Sequence, residues 1–219
     1  LLLLFLLTCL LLNTASADAA KSVYRVDRYG ELYDYSGSPV VPIRSNVSAI
    51  GPYTFYGVKT TKFTTAGNPY FKTINGALYS KDGTLLIKCP SEKSGSFTVP
   101  SSVKKIAHSA FMDCTKLTSV TIPDSVTVMD DRTFKNCSLL KRVRLSRYLS
   151  SIPSEAFSGC SSLTDITIPS SVSSISSKAF YNCQSLRGIS LPDSVSKVGS
   201  SCFANCINLG KVRLSSKMD

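Results

Sequence analysis

Eight cysteines in a chain of 219 residues have the most chemistry to offer, because thiols bind metals, exchange electrons and cross-link. Five of them, Cys114, Cys137, Cys160, Cys183 and Cys206, recur at a strict interval of 23 residues. A zinc site wants cysteines paired about two to four residues apart. Cys202 and Cys206 form the only close pair, with no second pair and no histidine beside it, so no metal is expected. If the copies stack at the spacing of paired strands, about 4.8 Å, they come near disulfide reach. Bonded cysteines, however, bring their Cβ atoms to about 3.5–4.5 Å and face one another, whereas stacked copies point the same way. Setting Cys9 aside with the apolar leader leaves seven, an odd number, so at least one is unpaired within the chain. Buried free thiols acting as small hydrophobes are the expectation. Cys202 fits it too, standing in the row of Ala110, Ala156 and Ala179. Cys89 stands off the row and is the expected free or reactive thiol.

Other catalytic chemistry is thinly represented. The single histidine, His108, shares its place with Asp131, Ser154, Ser177 and Ser200, a polar position that reads as a solvated loop. Nucleophilic catalysis needs a histidine set beside Ser or Cys, and nothing in the spacing does that. No G-x-S-x-G, P-loop, G-x-G-x-x-G or H-E-x-x-H is written. The expectation is therefore a protein that is not an enzyme and uses no cofactor.

What places the cysteines is a repeat. Phe111, Phe134, Phe157, Phe180 and Phe203 keep the same interval, and so do Leu117, Leu140, Leu163, Leu186 and Leu209. Two further aliphatic rows run from Val120 to Val212 and from Ile122 to Leu214. A unit of 23 residues cannot bury a core alone. Stacked units can, because each apolar position meets its copy in the next coil. The segment L-x-x-[VI]-x-[ILV], for example Leu163, Ile166 and Ile168, supplies three inward positions and alternates as a half-buried strand should. Pro123, Pro169 and Pro192 close that strand, with Ser146 and Ser215 in the same place elsewhere. A second apolar pair, such as Val172 and Ile175, should line the opposite wall. The row Asp113, Asn136, Gly159, Asn182 and Asn205 holds residue types that tolerate positive φ. It predicts a tight left-handed turn that places Phe and Cys inside. The expected fold class is an α/β-type repeat solenoid, mostly strand and turn, with leucine-rich repeat coils of 23 residues and parallel strands on the concave face.

The stretch SSISSKAFYNCQSLRGISLP at 173–192 resembles the BspA-like, or Treponema pallidum type, leucine-rich repeat proteins. The resemblance is close over residues 97–219 and reaches back to about residue 40 through NVSAIGPYTF. Between them, NPYFKTINGALYSKDGTLLIKCP at 68–90 looks like a segment the family carries. Physically it reads as a hairpin around the turn Lys81-Asp82-Gly83. The expected organisation is a signal peptide at 1–17, an N-terminal cap with irregular repeats at 18–96 (the hairpin near 76–90), and regular repeats at 97–219. The last repeat breaks off at SSKMD, with Met218 in the row of Val126 and Val195, which reads as a truncated end or a junction with a following domain. The resemblance implies proteins of bacterial and protozoan surfaces, implicated in adhesion to host proteins, in coaggregation and as surface antigens.

The leader LLLLFLLTCLLL, followed by Ala15-Ser16-Ala17, is a secretory h-region and cleavage site without an initiator Met, hence a truncated start. It is too short for a standard membrane span. The chain is expected to be secreted or at the cell surface, held to a membrane only through an anchor outside this stretch. Net charge is +11. The expected partners are host or neighbouring-cell proteins or acidic glycans. Nucleic acid is not expected, because aromatics are not interleaved with the basic residues. The outward positions of the strands supply the candidate ligand-binding residues: Lys141, Arg142 and Arg144; Thr164, Asp165 and Thr167; Arg187; Lys211 and Arg213. The same charges also read as a means of keeping exposed strands soluble. Asn46 and Asn136 fit the N-glycosylation pattern, relevant in a eukaryotic source, and Asn136 already has a place in the turn row. Three functions stay open: adhesion or binding, a spacer or coat antigen without a specific ligand, and the binding domain of a larger receptor or surface enzyme.

Overall fold

The computed structural model describes residues 23–217. The expected signal peptide at 1–17, Cys9 within it, and Met218 lie outside the described residues.

Each regular coil is built around the A-F-x-x-C turn. Its left-handed residues Asp113, Asn136, Gly159, Asn182 and Asn205 have φ of 60–76°, as the sequence leads one to expect. A second left-handed row, Ser109, Arg132, Glu155, Lys178 and Ser201, has φ of 52–57° and is not announced by its residue types. Such a conformation costs a residue with a Cβ about 1–2 kcal/mol. What holds it is the direction it gives the backbone. The N–H groups of Ser109, Phe111 and Asp113 all point along the stack and donate to the carbonyls of Asp131, Thr133 and Lys135 at 2.8–3.0 Å.

The turn carries Phe and Cys inward. Phe111, Phe134, Phe157, Phe180 and Phe203 form one stacked column, with centroids 4.9–5.6 Å apart and planes within 17°. Phe97 closes the column edge-on at 5.3 Å. The cysteines beside it are free and buried, as expected. Their thiols also do something the sequence does not show. Cys137, Cys160, Cys183 and Cys206 donate to the carbonyls of Phe111, Phe134, Phe157 and Phe180 in the preceding coil at 3.0–3.1 Å. Those carbonyls already accept the cysteine N–H of their own turn at 3.0–3.2 Å, so cysteine is both the small hydrophobe of the row and a second donor that uses the carbonyl's remaining lone pair.

Two walls flank the column. One consists of parallel strands Gly95–Thr98, Leu117–Thr121 and Arg142–Arg144, then Gly188–Ser190 and Lys211–Arg213, with Val120 opposite Val143 and Ile189 opposite Val212. The other is a row of two-residue strands, Lys105–Ile106, Val128–Met129, Ser151–Ile152, Ser174–Ile175 and Lys197–Val198. Where Ser146 and Ser215 replace the closing proline, their Oγ atoms accept the N–H of Tyr148 and Lys217, which turns the chain by other means. The second wall splits between Met129 and Ser151. Ala107, Asp130, Ser176 and Gly199 each donate an N–H to the preceding coil at 2.7–3.0 Å. Pro153 stands in that row and has no N–H to give. No helix occurs among the described residues, so the chain lies at the all-strand end of the solenoid class.

The expected hairpin pairs Ala77–Ser80 with Leu85–Lys88 and gains a third strand, Phe71–Ile74, through Asn75-Gly76. Both turn residues have positive φ, 51° and 80°, the conformation for which Asn-Gly is the sequence signal. The middle strand serves two cores. Leu78 packs with Leu32, Val41, Phe55 and Phe63, while Ala77 and Tyr79 join the core of the regular coils.

The hairpin coil also skips the A-F-x-x-C turn. Leu86 lies opposite Ile106. From Ile106 a regular coil takes eight residues to reach Cys114, whereas the hairpin coil takes three, from Leu86 to Cys89. Cys89 therefore belongs to the ladder rather than standing off it. It is fully buried, and burial together with the neighbouring Cys114 thiol pushes its thiol well above the usual range. It is not the reactive thiol that its sequence position suggests, since reactivity requires the thiolate.

Candidate functional site

The strand wall turns its alternate residues outward because a strand has period two. Lys141, Arg142, Arg144, Thr164, Asp165, Thr167, Arg187, Lys211 and Arg213 are all exposed on it. The face is indented by two adjoining grooves. One, of about 650 Å³, gathers Arg142, Arg144, Arg147 and Asp124 beside Asp165 and Thr167. The other, of about 990 Å³, runs from Thr164, Asp165 and Thr167 to Arg187, Lys211 and Arg213. Their floors are the buried edges of Val143, Ile166 and Ile189. Lys141 lines neither groove; its carbonyl accepts the Thr164 N–H at 3.4 Å.

Asp165, Ile166 and Thr167 belong to both grooves, and strand pairing lapses there. Among the described residues no backbone hydrogen bond joins 165–168 to a neighbouring coil, although Thr164 and Arg187 keep long bonds of 3.4 Å on either side. The sequence Thr-Asp-Ile-Thr-Ile-Pro obeys the strand pattern fully, so the lapse could not be read from it.

The two grooves differ in charge. Asp124 accepts the Arg147 backbone N–H at 3.1 Å and its Nε at 2.7 Å, with Arg144 at 4.0 Å. These contacts, the backbone one foremost, hold the Asp124 carboxyl below its usual range and spend much of the local positive charge. Arg187, Lys211 and Arg213 make no ion pair within 4.0 Å among the described residues. The Ser216 N–H foremost, and Arg213 with it, hold the Asp193 carboxyl below its usual range, so the positive charge left without a nearby carboxylate partner in the second groove, among the described residues, is that of Arg187 and Lys211.

The remaining candidates lie elsewhere. Asn46 and Asn136 are exposed, and Asn136 donates from Nδ2 to Asp113 Oδ1 at 2.9 Å. His108 is not a solvated loop residue. It is half-buried, edge-on to Tyr53 with centroids 6.1 Å apart, and its Nε2 is buried without a hydrogen-bond partner among the described residues.

Six copies of the BspA type leucine-rich repeat region match the chain across residues 88–210, more than half its length. The chain belongs to the BspA-type leucine-rich repeat family. A comparison with curated protein sequences returned no match. Among solved structures, this BspA-type chain is similar to a leucine-rich cell surface protein of Faecalibacterium prausnitzii, with TM-score 0.77 and 30% identity over 84% of the chain and 51% of that protein. It is similar to the Treponema pallidum leucine-rich repeat protein, with TM-score 0.58 and 32% identity over 66% of the chain and 69% of that protein. The pneumococcal vaccine antigen PcpA shares the fold at 20% identity, with TM-score 0.72 over 82% of the chain and 46% of that protein. The chain thus spans about half the length of the first and third of these relatives. By their descriptions these relatives are a leucine-rich cell surface protein, a leucine-rich repeat protein and a vaccine antigen.

Proposed function

We propose that the chain is a non-enzymatic binding module of a secreted or cell-surface protein. Its strand face engages an anionic partner, either an acidic segment of a host or neighbouring-cell protein or an acidic glycan. The observation that carries this reading is the second groove, where Arg187, Lys211 and Arg213 line an apolar floor and none forms an ion pair within 4.0 Å among the described residues. Asp165 at its edge can accept hydroxyl or amide donors, which gives the groove some discrimination beyond charge. A rigid stack suits such binding, because the exposed side chains are displayed without the entropic cost of ordering a loop. The description of the Faecalibacterium relative as a cell surface protein supports the location.

The test compares two triple variants on a sulfated glycan column and against an acidic peptide. Arg187, Lys211 and Arg213 changed to Glu should abolish binding that weakens with salt. Lys141, Arg142 and Arg144 changed to Glu should weaken it less, because Asp124 already offsets part of that cluster. Undiminished binding by the first variant sinks the proposal. A blank screen with the unaltered chain favours the coat-antigen reading, for which the pneumococcal relative's description as a vaccine antigen is the supporting observation.

A further inference from the structure

The skipped turn of the hairpin coil leaves a gap in an otherwise continuous column. Residues 51–58 form an A-F-x-x-C-like turn with the same internal bonds as a regular one, from Thr54, Tyr56 and Val58 to Gly51, Tyr53 and Phe55. The N–H groups of Tyr53, Phe55 and Gly57 are the counterparts of those of Ser109, Phe111 and Asp113, which bond the next coil. Here they have no backbone acceptor in a next coil among the described residues, because the hairpin coil has no turn to offer. Across the gap lies the turn at 107–113. Lys88 reaches in from behind and donates from Nζ to the Ser109 carbonyl at 2.7 Å and the Met112 carbonyl at 3.5 Å. Burial lowers the Lys88 amine below its usual range, and no carboxylate pairs with it within 4.0 Å among the described residues.

The gap is a cavity of about 220 Å³. Ser109 is 3% exposed, and its Oγ has no hydrogen-bond partner among the described residues; nor has the buried His108 Nε2. Both line the cavity. In later coils the polar row of His108 is bonded from coil to coil, with Asp131 accepting the Ser154 N–H at 2.9 Å and Ser154 donating to the Ser177 carbonyl at 3.2 Å. Buried polar groups are normally satisfied, and each exception asks for a partner. The rim adds Tyr53 and Tyr56, 59% and 68% exposed, with the carboxylates of Asp113 and Asp130 nearby. The volume is below the roughly 300–1,000 Å³ of pockets for drug-sized ligands, so it takes a single small ring.

We propose that this seam cavity is a binding site for one acidic sugar residue of hexuronate type, separate from the strand-face groove. The sugar carboxylate meets Lys88, ring hydroxyls meet Ser109 Oγ and His108 Nε2, the rim carboxylates accept hydroxyl protons, and a tyrosine face covers the ring. The site stands whether or not the strand face binds anything.

The test titrates glucuronate, glucose and benzoate into the isotopically labelled full chain and follows the amide resonances of Tyr53, Phe55, Gly57 and Ser109. Saturable shifts with glucuronate, much weaker with glucose and with benzoate, are expected. Ser109→Ala and Tyr56→Ala should each weaken glucuronate by about tenfold, the effect of losing one good contact, with the thermal midpoint retained. Ser109→Ala is a fair probe because alanine and serine meet the same penalty at positive φ. The triple variant of Arg187, Lys211 and Arg213 should bind glucuronate unchanged, which separates this site from the groove. No saturable shift with glucuronate means the cavity holds water only and overturns the proposal. Equal binding of glucose removes the carboxylate from it, equal binding of benzoate removes the sugar, and loss of glucuronate binding in the groove variant removes the site; each of these overturns the proposal as well.

Discussion

At the residue scale, the ladder positions are chosen for what they do to the next coil. Gly159 has φ +76°, and a Cβ there would lie 2.7 Å from Asn136 Oδ1 and 3.4 Å from its Cα. Gly159→Val should cost about 1–2 kcal/mol or more in chemical denaturation, because a β-branched residue is poorly tolerated at positive φ. Gly159→Asn should cost clearly less, since Asn182 and Asn205 hold φ of 60° and 62° in the same row. Equal costs for the two would show that space, rather than backbone conformation, selects glycine. The thiols differ along the ladder in a testable way. Cys89 and Cys137 are pushed well above the usual thiol range, mainly by burial. The Cys183 thiol, as a donor available to a Cys206 thiolate, lowers Cys206 to about 7, and the same neighbour relation raises Cys183. The thiolate is the nucleophile, so native labelling of Cys206 with a neutral maleimide should climb as pH passes through about 7, while Cys89 and Cys137 stay unlabelled until the chain unfolds. Mass spectrometry of labelled peptides from about pH 6 to about pH 8 decides it. Labelling of Cys89 as fast as Cys206 would contradict the buried ladder.

At the scale of elements, the hairpin turn carries its own pH dependence. Asp82 accepts the Ser80 hydroxyl at 2.6 Å, the Thr84 N–H at 3.0 Å and the Thr84 hydroxyl at 2.8 Å. The Ser80 bond foremost, then those from Thr84, lower its carboxyl to about 2. A carboxyl depressed on folding contributes stability that is present above its ordinary 3.8 and is lost as pH falls through about 2. Amide protection at Tyr79 and Leu86, which face each other across the hairpin, taken relative to the unstructured exchange rate at each pH, should therefore fall over that window, and Asp82→Ala should show the reduced protection already at neutral pH. An unaltered exchange pattern in the variant would mean that the turn is held by its glycine alone. The hairpin also shows what a sequence makes legible. The coil period, the inward Phe, Cys and Leu rows, the Asp82 turn and one left-handed row were readable, because each is written as a residue type repeated at a fixed step. The second left-handed row was not, since Arg132, Glu155 and Lys178 carry no conformational signature and are held by bonds to the next coil. The third strand was not read, although Asn75-Gly76 carries the signal of its turn. Of the candidate site, the exposed residues were legible from strand alternation. The split of the face at residues 165–168, and the seam cavity, were not, because both arise where one coil fails to match its neighbour.

At the scale of the molecule, stability is a matter of neighbours. Each regular coil packs chiefly on the coils before and after it, the Arg132 Nη1 bond to the Tyr53 hydroxyl at 3.2 Å being a longer reach, so the stack behaves as a chain of units joined by interfaces. Phe157 sits mid-column, fully buried and stacked on Phe134 at 5.3 Å and Phe180 at 5.2 Å. Phe157→Ala leaves a cavity in a packed core, typically a loss of about 3–5 kcal/mol. In a globular core that loss would lower the stability of every part alike. Here it falls on the two interfaces that couple the coils before residue 157 to those after it. The earlier coils retain support from the hairpin strand that they share with the N-terminal core. The later ones rest on coils where Val212 and Leu214 are already 46% and 57% exposed. The variant should therefore unfold in two steps in urea, with a reduced slope for each, and amide protection after about residue 160 should be lost before that of residues 97–134. The unaltered chain should unfold in one step. A single transition in the variant, merely shifted to lower urea, would show that coupling along the stack exceeds the energy of one phenylalanine, and that the coils unfold as a single unit.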